Sequence, residues 1–124
     1  MKKILSTKNA PSAIGPYSQA VEAGGVLYIS GQLPINPANG QIPPTIEEQT
    51  VQCLKNIYAI LCQADLEKEN VVKCTVLLDD IKNFDAMNKI YGEFFTKDYP
   101  ARVAYQVAKL PKGAMIEIET IAVR

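Results

Sequence analysis

The residues able to do chemistry in this chain are few. Near the C-terminal end, Met115-Ile116-Glu117-Ile118-Glu119-Thr120-Ile121-Ala122-Val123 alternates in strand fashion. That alternation puts Glu117 and Glu119 on one face with Met115, Ile121 and Val123. Two carboxylates among apolar neighbours can act as general acid and base, since desolvation and mutual repulsion raise a carboxyl pKa. A sheet face that starts solvated and becomes buried has the same pattern. Arg102 is one of two arginines against eleven lysines, the other being Arg124. An internal Arg in a Lys-using chain points to a task for the planar fork, either a bidentate grip on a carboxylate or a structural ion pair. Ser30-Gly31 interrupts an apolar strand, as a bulge or a close backbone approach does. Asn88 lies beside the apolar stripe of a helix, and Tyr17, just after Gly15-Pro16, is placed to pack or to cover a pocket.

Other chemistries are closed to the chain. It has no His, which removes Ser-His-Asp and Cys-His nucleophiles within one chain and every His-bearing metal site. Ser30 without a base is a poor nucleophile. No GxGxxG or GxxxxGK[ST] phosphate loop is present. Thirteen basic residues balance 13 acidic ones, so binding to nucleic acid through its phosphates is disfavoured. Cys53, Cys62 and Cys74 have neither CxxC nor paired spacing and read as reduced packing residues of a cytoplasmic protein. No apolar run approaches the roughly 20 residues of a membrane span, and no partner membrane is expected.

These residues need elements to hold them. At 124 residues, 48% hydrophobic and 21% charged, the chain reads as one globular domain, 1–124. Residues 2–7 form a short edge strand, 9–16 a Pro-bracketed loop, and Gly24-Gly25 a hairpin turn into a strand at 26–32. Residues 33–44, with four prolines, stay irregular. Thr45 with Glu48 is a capping box that opens a helix. Val51, Leu54, Ile57, Tyr58 and Leu61 make its apolar face, and it fades near Asp65. The run 71–78 is a strand with Val72, Cys74, Val76 and Leu78 on one face. A second helix from about Asn83 turns Phe84, Met87, Tyr91, Phe94 and Phe95 inward and ends at Tyr99-Pro100. Strands at 102–108 and 115–123 flank the turn 110–113. The order β-β-β-α-β-α-β-β is α+β, with two helices on one face of a sheet. The strands at 26–32 and 71–78 are apolar on both faces, so the uncovered face calls for another copy of the chain.

Taken together, Ala13-Ile14-Gly15-Pro16-Tyr17-Ser18-Gln19, Ser30-Gly31-Gln32, Pro100-Ala101-Arg102, Leu110-Pro111-Lys112 and Ile116-Glu117-Ile118-Glu119 resemble the Rid (YjgF) family of reactive-intermediate deaminases, over essentially the whole chain. The resemblance implies a chorismate-mutase-like fold and a homotrimer whose sheets form a central barrel, with sites in clefts between subunits. It implies cofactor-independent hydrolysis of reactive 2-enamino and 2-imino acids, released by pyridoxal-phosphate-dependent dehydratases, to 2-oxo acids and ammonia. By position, Arg102 would grip the substrate carboxylate and Glu117 would position water and exchange protons. Tyr17, Ser30, Gly31, Asn88 and Ala104 would line the pocket. Many family members have Ser-Cys where this chain has Val103-Ala104, so a thiol is missing and only the backbone N–H of Ala104 can serve. The same residues would equally build a non-catalytic 2-oxo acid binding module. RNA cleavage, the third reading, conflicts with the zero net charge and the missing His.

Overall fold

The structure, a computed structural model, describes residues 1–124. Six strands form one mixed sheet in the order β1-β2-β3-β6-β4-β5. They are β1 (Lys3–Leu5), β2 (Ala20–Ala23), β3 (Val26–Gln32), β4 (Val71–Leu78), β5 (Ala101–Gln106) and β6 (Ile116–Val123). Every pairing is antiparallel except β4 with β5. Helices α1 (Ile46–Gln63) and α2 (Phe84–Phe95) cover one face. The order and class are those read from the pattern.

Local chemistry sets the helix ends. Thr45 caps α1, its Oγ1 accepting from the Glu48 N–H at 3.2 Å. The box closes differently from the reciprocal form: the Thr45 hydroxyl donates to the Glu48 carboxylate at 3.0 Å. After Ala64 the chain leaves the helix with Asp65 at φ 57°. Helix α2 stops earlier than Tyr99-Pro100 led us to expect. Thr96, at φ 59°, ends it directly after Phe95, with its N–H donating to the Gly92 carbonyl at 3.1 Å. The apolar face of α1 is also rotated from expectation. Cys53, Leu54, Ile57, Ile60 and Leu61 are buried, while Val51 and Tyr58 sit at the rim, 37% and 40% exposed.

The core lies between the helices and the covered sheet face. Leu27 and Ile29 of β3, Cys74, Val76 and Leu78 of β4, and Ile116, Ile118 and Ala122 of β6 meet Leu54, Ile57, Leu61, Met87 and Tyr91. A register shift between Val71 and Lys73 breaks the expected alternation at the start of β4: Val71 is buried and Val72 exposed. Packing also sorts the thiols. Cys53 and Cys74 are buried, but Cys62 is exposed and not the packing residue its helical position suggested. The other sheet face stays open, with Tyr28, Val103 and Tyr105 each near half exposed.

Three buried amides anchor the irregular segments. Gln19 takes the Thr7 N–H on its oxygen and gives its amide to the Thr7, Ala10 and Pro11 carbonyls. Gln49 spans from the Pro43 carbonyl to the Met115 N–H. Asn56 gives its amide to the Leu33 and Ile35 carbonyls at 3.1 and 3.0 Å. A loop with this much Pro has little regular pairing of its own, so side chains must satisfy its buried carbonyls. Replacing Asn56 by Ala removes both donors and should destabilise the fold by about 2–3 kcal/mol. Thermal denaturation should read this as a midpoint drop of roughly 10 °C.

Candidate active site

Register decides where the two principal side chains point. Arg102 pairs with Cys74, which pairs with Thr120, and both of these are buried under the helices. Paired residues share a face, so Arg102 rises on the helix side. Glu117 pairs with Leu77, which pairs with Tyr105 on the open face. Arg102 and Glu117 therefore project from opposite faces of one sheet. A single copy cannot bring them to one reacting carbon.

The arginine half lies at the free edge formed by β5. Its guanidinium donates from Nη1 to Asn88 Oδ1 at 2.7 Å and lies over the Tyr91 and Phe84 rings. No carboxylate pairs with it, since the ion pairs of the chain are Lys82–Asp80 and Arg124–Glu22. The structural ion pair weighed from sequence thus falls to Arg124 and not to Arg102. A cavity of about 430 Å³ opens here, lined by Asn88, Tyr91, Gly92, Tyr99, Pro100 and Arg102. Ala104 stands two residues along on the same side, half-buried and packed on the core. The Val107 N–H donates to the Leu78 carbonyl. Counting back by twos, strand alternation turns the N–H groups of Val103 and Tyr105 toward β4, leaving those of Arg102 and Ala104 on the free edge. An uncompensated guanidinium beside a free backbone N–H is a receptor for a small carboxylate.

The carboxylate half lies in a groove of about 300 Å³ between the 11–19 loop, the end of β3 and Pro111. Tyr17, Ser30, Gly31 and Glu117 line it together, and Tyr17 is half exposed over it. The Ser30-Gly31 step is a bulge, one of the two readings open from sequence: the β3–β6 register shifts between Ile29 and Gln32. Gly31 makes room for the acid, because a Cβ there would lie 2.5 Å from Glu117 Oε2 and 2.9 Å from its Cδ. The Ser30 hydroxyl donates to the Ser18 carbonyl at 2.6 Å, so it secures the loop and keeps only lone pairs for a ligand. Burial raises the Glu117 pKa above the ordinary carboxylate value, and repulsion from Glu119 adds to the shift. Glu119 itself is exposed and accepts from the Thr75 hydroxyl at 3.3 Å. No group of three His, Cys, Asp or Glu side chains is arranged to hold a metal ion.

Two contributors were legible only as core. Phe84 and Tyr91 read as apolar stripe, yet both present ring faces to Arg102; their spacing with Asn88, at 84, 88 and 91, was the available signal. Gly31→Ala should push Glu117 out of its groove. Its carboxyl should then lose burial and titrate closer to the ordinary carboxylate range, which a carbon-13 NMR titration of the Glu117 carboxyl would show.

Fold and site together define a small α+β protein whose reactive groups are divided between two surfaces. Residues 7–124 match the family described as endoribonuclease L-PSP. The chain is 53% identical over 125 residues to a Capra hircus protein named 2-iminobutanoate/2-iminopropanoate deaminase, covering 100% of this chain and 91% of that one. It superposes on YyfA, a conserved Rid-family protein of Yersinia pestis, with a TM-score of 0.98 at 50% identity and full coverage of both chains. Escherichia coli TdcF with bound serine gives 0.96 at 42% identity, covering 98% of each chain. The chain belongs to the Rid (YjgF) family.

Proposed function

We propose that this chain, acting as a single domain, is a cofactor-independent deaminase that hydrolyses 2-imino and 2-enamino acids to 2-oxo acids and ammonia. The observation that carries this is the Arg102 guanidinium, held in place and left without a counter-ion at the mouth of a cavity. Its likeness to a protein named for that activity supplies the substrate class. TdcF, with serine bound, is a relative that receives a small carboxylate.

Because Arg102 and Glu117 face opposite ways, the working site takes Arg102 from one copy and Glu117 of the partner subunit. A homotrimer whose open sheet faces line a central barrel meets this need and covers Tyr28, Val103 and Tyr105. In that cleft the Arg102 fork and the Ala104 N–H hold the substrate carboxylate, which fixes the imine carbon. The Glu117 carboxylate takes a proton from water as the oxygen bonds to that carbon. The resulting carboxylic acid gives that proton to nitrogen, leaving a carbinolamine. The Glu117 carboxylate then takes the hydroxyl proton and passes it to nitrogen as the C–N bond breaks and the C=O forms, giving the 2-oxo acid and ammonia. The imine is already electrophilic, so positioning and proton transfer are the protein's contribution.

A small molecule, not RNA, is the partner this charge balance favours, and the free thiols fit a cytoplasmic setting. No helix is long and apolar enough to cross a membrane. The test couples a threonine dehydratase to the protein and traps 2-iminobutyrate with semicarbazide. Added protein should suppress trapping. Unchanged trapping by a protein that binds 2-oxobutyrate would leave a binding module in place of an enzyme.

A further inference from the structure

The seat of Arg102 is built by one face of α2. Phe84, Asn88 and Tyr91 follow at four- and three-residue spacing and so align along the helix. Asn88 occupies one N–H of the guanidinium, through Nη1. The ring centroids of Tyr91 and Phe84 lie 4.9 and 5.4 Å from the guanidinium carbon. A ring face attracts the cation without using any of its N–H groups, which stay in the guanidinium plane. Five donors less one leave an edge that can take both oxygens of a carboxylate. An acid in place of the rings would hold Arg102 as firmly but would occupy that edge. The Tyr91 ring is 4% exposed, so packing keeps it from turning away. Its buried hydroxyl faces the Cys74 thiol of the core and hydrogen-bonds no atom of the guanidinium, so the ring and not the hydroxyl is what Tyr91 offers Arg102.

We propose that Tyr91 is a positioning residue for carboxylate recognition, its ring face setting the plane of the Arg102 guanidinium while leaving the hydrogen-bonding edge free. This rests on the deaminase reading, in which Arg102 grips the substrate carboxylate. Phe84 supports the same plane from a half-buried position.

The experiment combines Tyr91→Leu and Tyr91→Phe with both Arg102 and Arg102→Lys backgrounds, using 2-oxobutyrate binding and imine hydrolysis as readouts. Tyr91→Leu should weaken 2-oxobutyrate about tenfold, between the exposed and the fully desolvated values for a cation–ring contact. KM should rise with it while kcat changes much less. Tyr91→Phe keeps the ring and should recover most of the loss. In the Arg102→Lys background the effect of Tyr91→Leu should shrink to about twofold or less, because the planar partner is gone. Unchanged binding by Tyr91→Leu, equal damage from Phe and Leu, or an undiminished effect in the Lys background would each overturn the proposal.

If Tyr91→Leu does not fold, Phe84→Leu replaces it. A roughly threefold loss that vanishes with Arg102→Lys supports the seat, and a loss that persists overturns it. A wild type that binds 2-oxobutyrate without hydrolysing imine defeats the deaminase reading and leaves this proposal to the binding arm. A wild type that hydrolyses imine, with Tyr91→Leu equal to it, defeats this proposal alone. A wild type that does neither defeats both.

Discussion

Co-expressing Arg102→Ala and Glu117→Gln chains is expected to restore imine hydrolysis that neither variant shows alone. In the proposed site, Arg102→Ala would remove charge-assisted contacts to the substrate carboxylate and should reduce kcat/KM by about 10²–10³-fold. Glu117→Gln should lose a similar factor. Each variant chain nevertheless keeps the group that the other lacks. Since Cys74 and Thr120 place Arg102 on the helix side, and Leu77 and Tyr105 place Glu117 on the open side, a site between copies draws one group from each. Random mixing in a cyclic assembly then recreates intact sites at about a quarter of the interfaces. That recovery, about 25–250 times the baseline of either variant, is a large signal in the trapping assay. No recovery in verified mixed assemblies would mean that the reacting groups come from one chain, and the division between two faces would lose its functional meaning.

Glu117→Gln on its own should separate binding from chemistry. Turnover is expected to fall about 10²–10³-fold with 2-oxobutyrate affinity nearly unchanged, because an amide cannot accept a proton from water. The same substitution has a stability signature with a defined sign. Burial and Glu119 raise the Glu117 pKa above its ordinary value of 4.5. The folded state therefore holds the proton more tightly than the unfolded one. Its contribution is fully present below that ordinary value and is lost as pH rises through the folded value. Gln carries no such proton, so Glu117→Gln should match the wild type near pH 4 and become the more stable protein toward neutrality. Thermal midpoints across that range measure the gap, and a gap independent of pH would contradict the shift. In the active enzyme, Glu119→Gln should lower the acid limb of the pH–rate profile, since it removes one source of the repulsion.

Periodicity carried most of the architecture. The alternation of 116–123 and the Thr45–Glu48 cap placed their elements within a residue or two. The strand at 26–32, read as apolar on both faces, leaves Tyr28 open, and Val103 and Tyr105 of β5, a strand that reading did not include, are open with it. Three features escaped for physical reasons. The bulge at Val71–Lys73 inverts a parity that the pattern Val71-Val72 cannot reveal, both residues being equally apolar. The end of α2 depends on Thr96 adopting a positive φ, which a Thr rarely does, whereas Tyr99-Pro100 marks a later stop. The anchoring amides Gln19, Gln49 and Asn56 look like any surface polar residue until the loops they hold are folded over them. For the site, residue types singled out Arg102 and the Glu117–Glu119 pair and the family resemblance chose Glu117, but only the strand register showed that Arg102 and Glu117 face apart. Gly31 illustrates the same limit: its closeness to Glu117 crosses from β3 to β6, far apart in the chain.

The outer position of β5 has a consequence beyond catalysis. This strand ends the sheet with backbone donors unpaired, next to the exposed side chains of Val103 and Tyr105. Such an edge can template association with any passing strand. On the proposed homotrimer reading, a newly synthesised chain is exposed to misassembly until it meets its own kind. A substitution that loosens subunit contact would lengthen that interval, and mutational tolerance on the open face would be set by surveillance from chaperones and proteases as much as by enzyme activity. Falling abundance in the cell should accompany falling activity at these positions, whereas at Arg102 activity should fall alone.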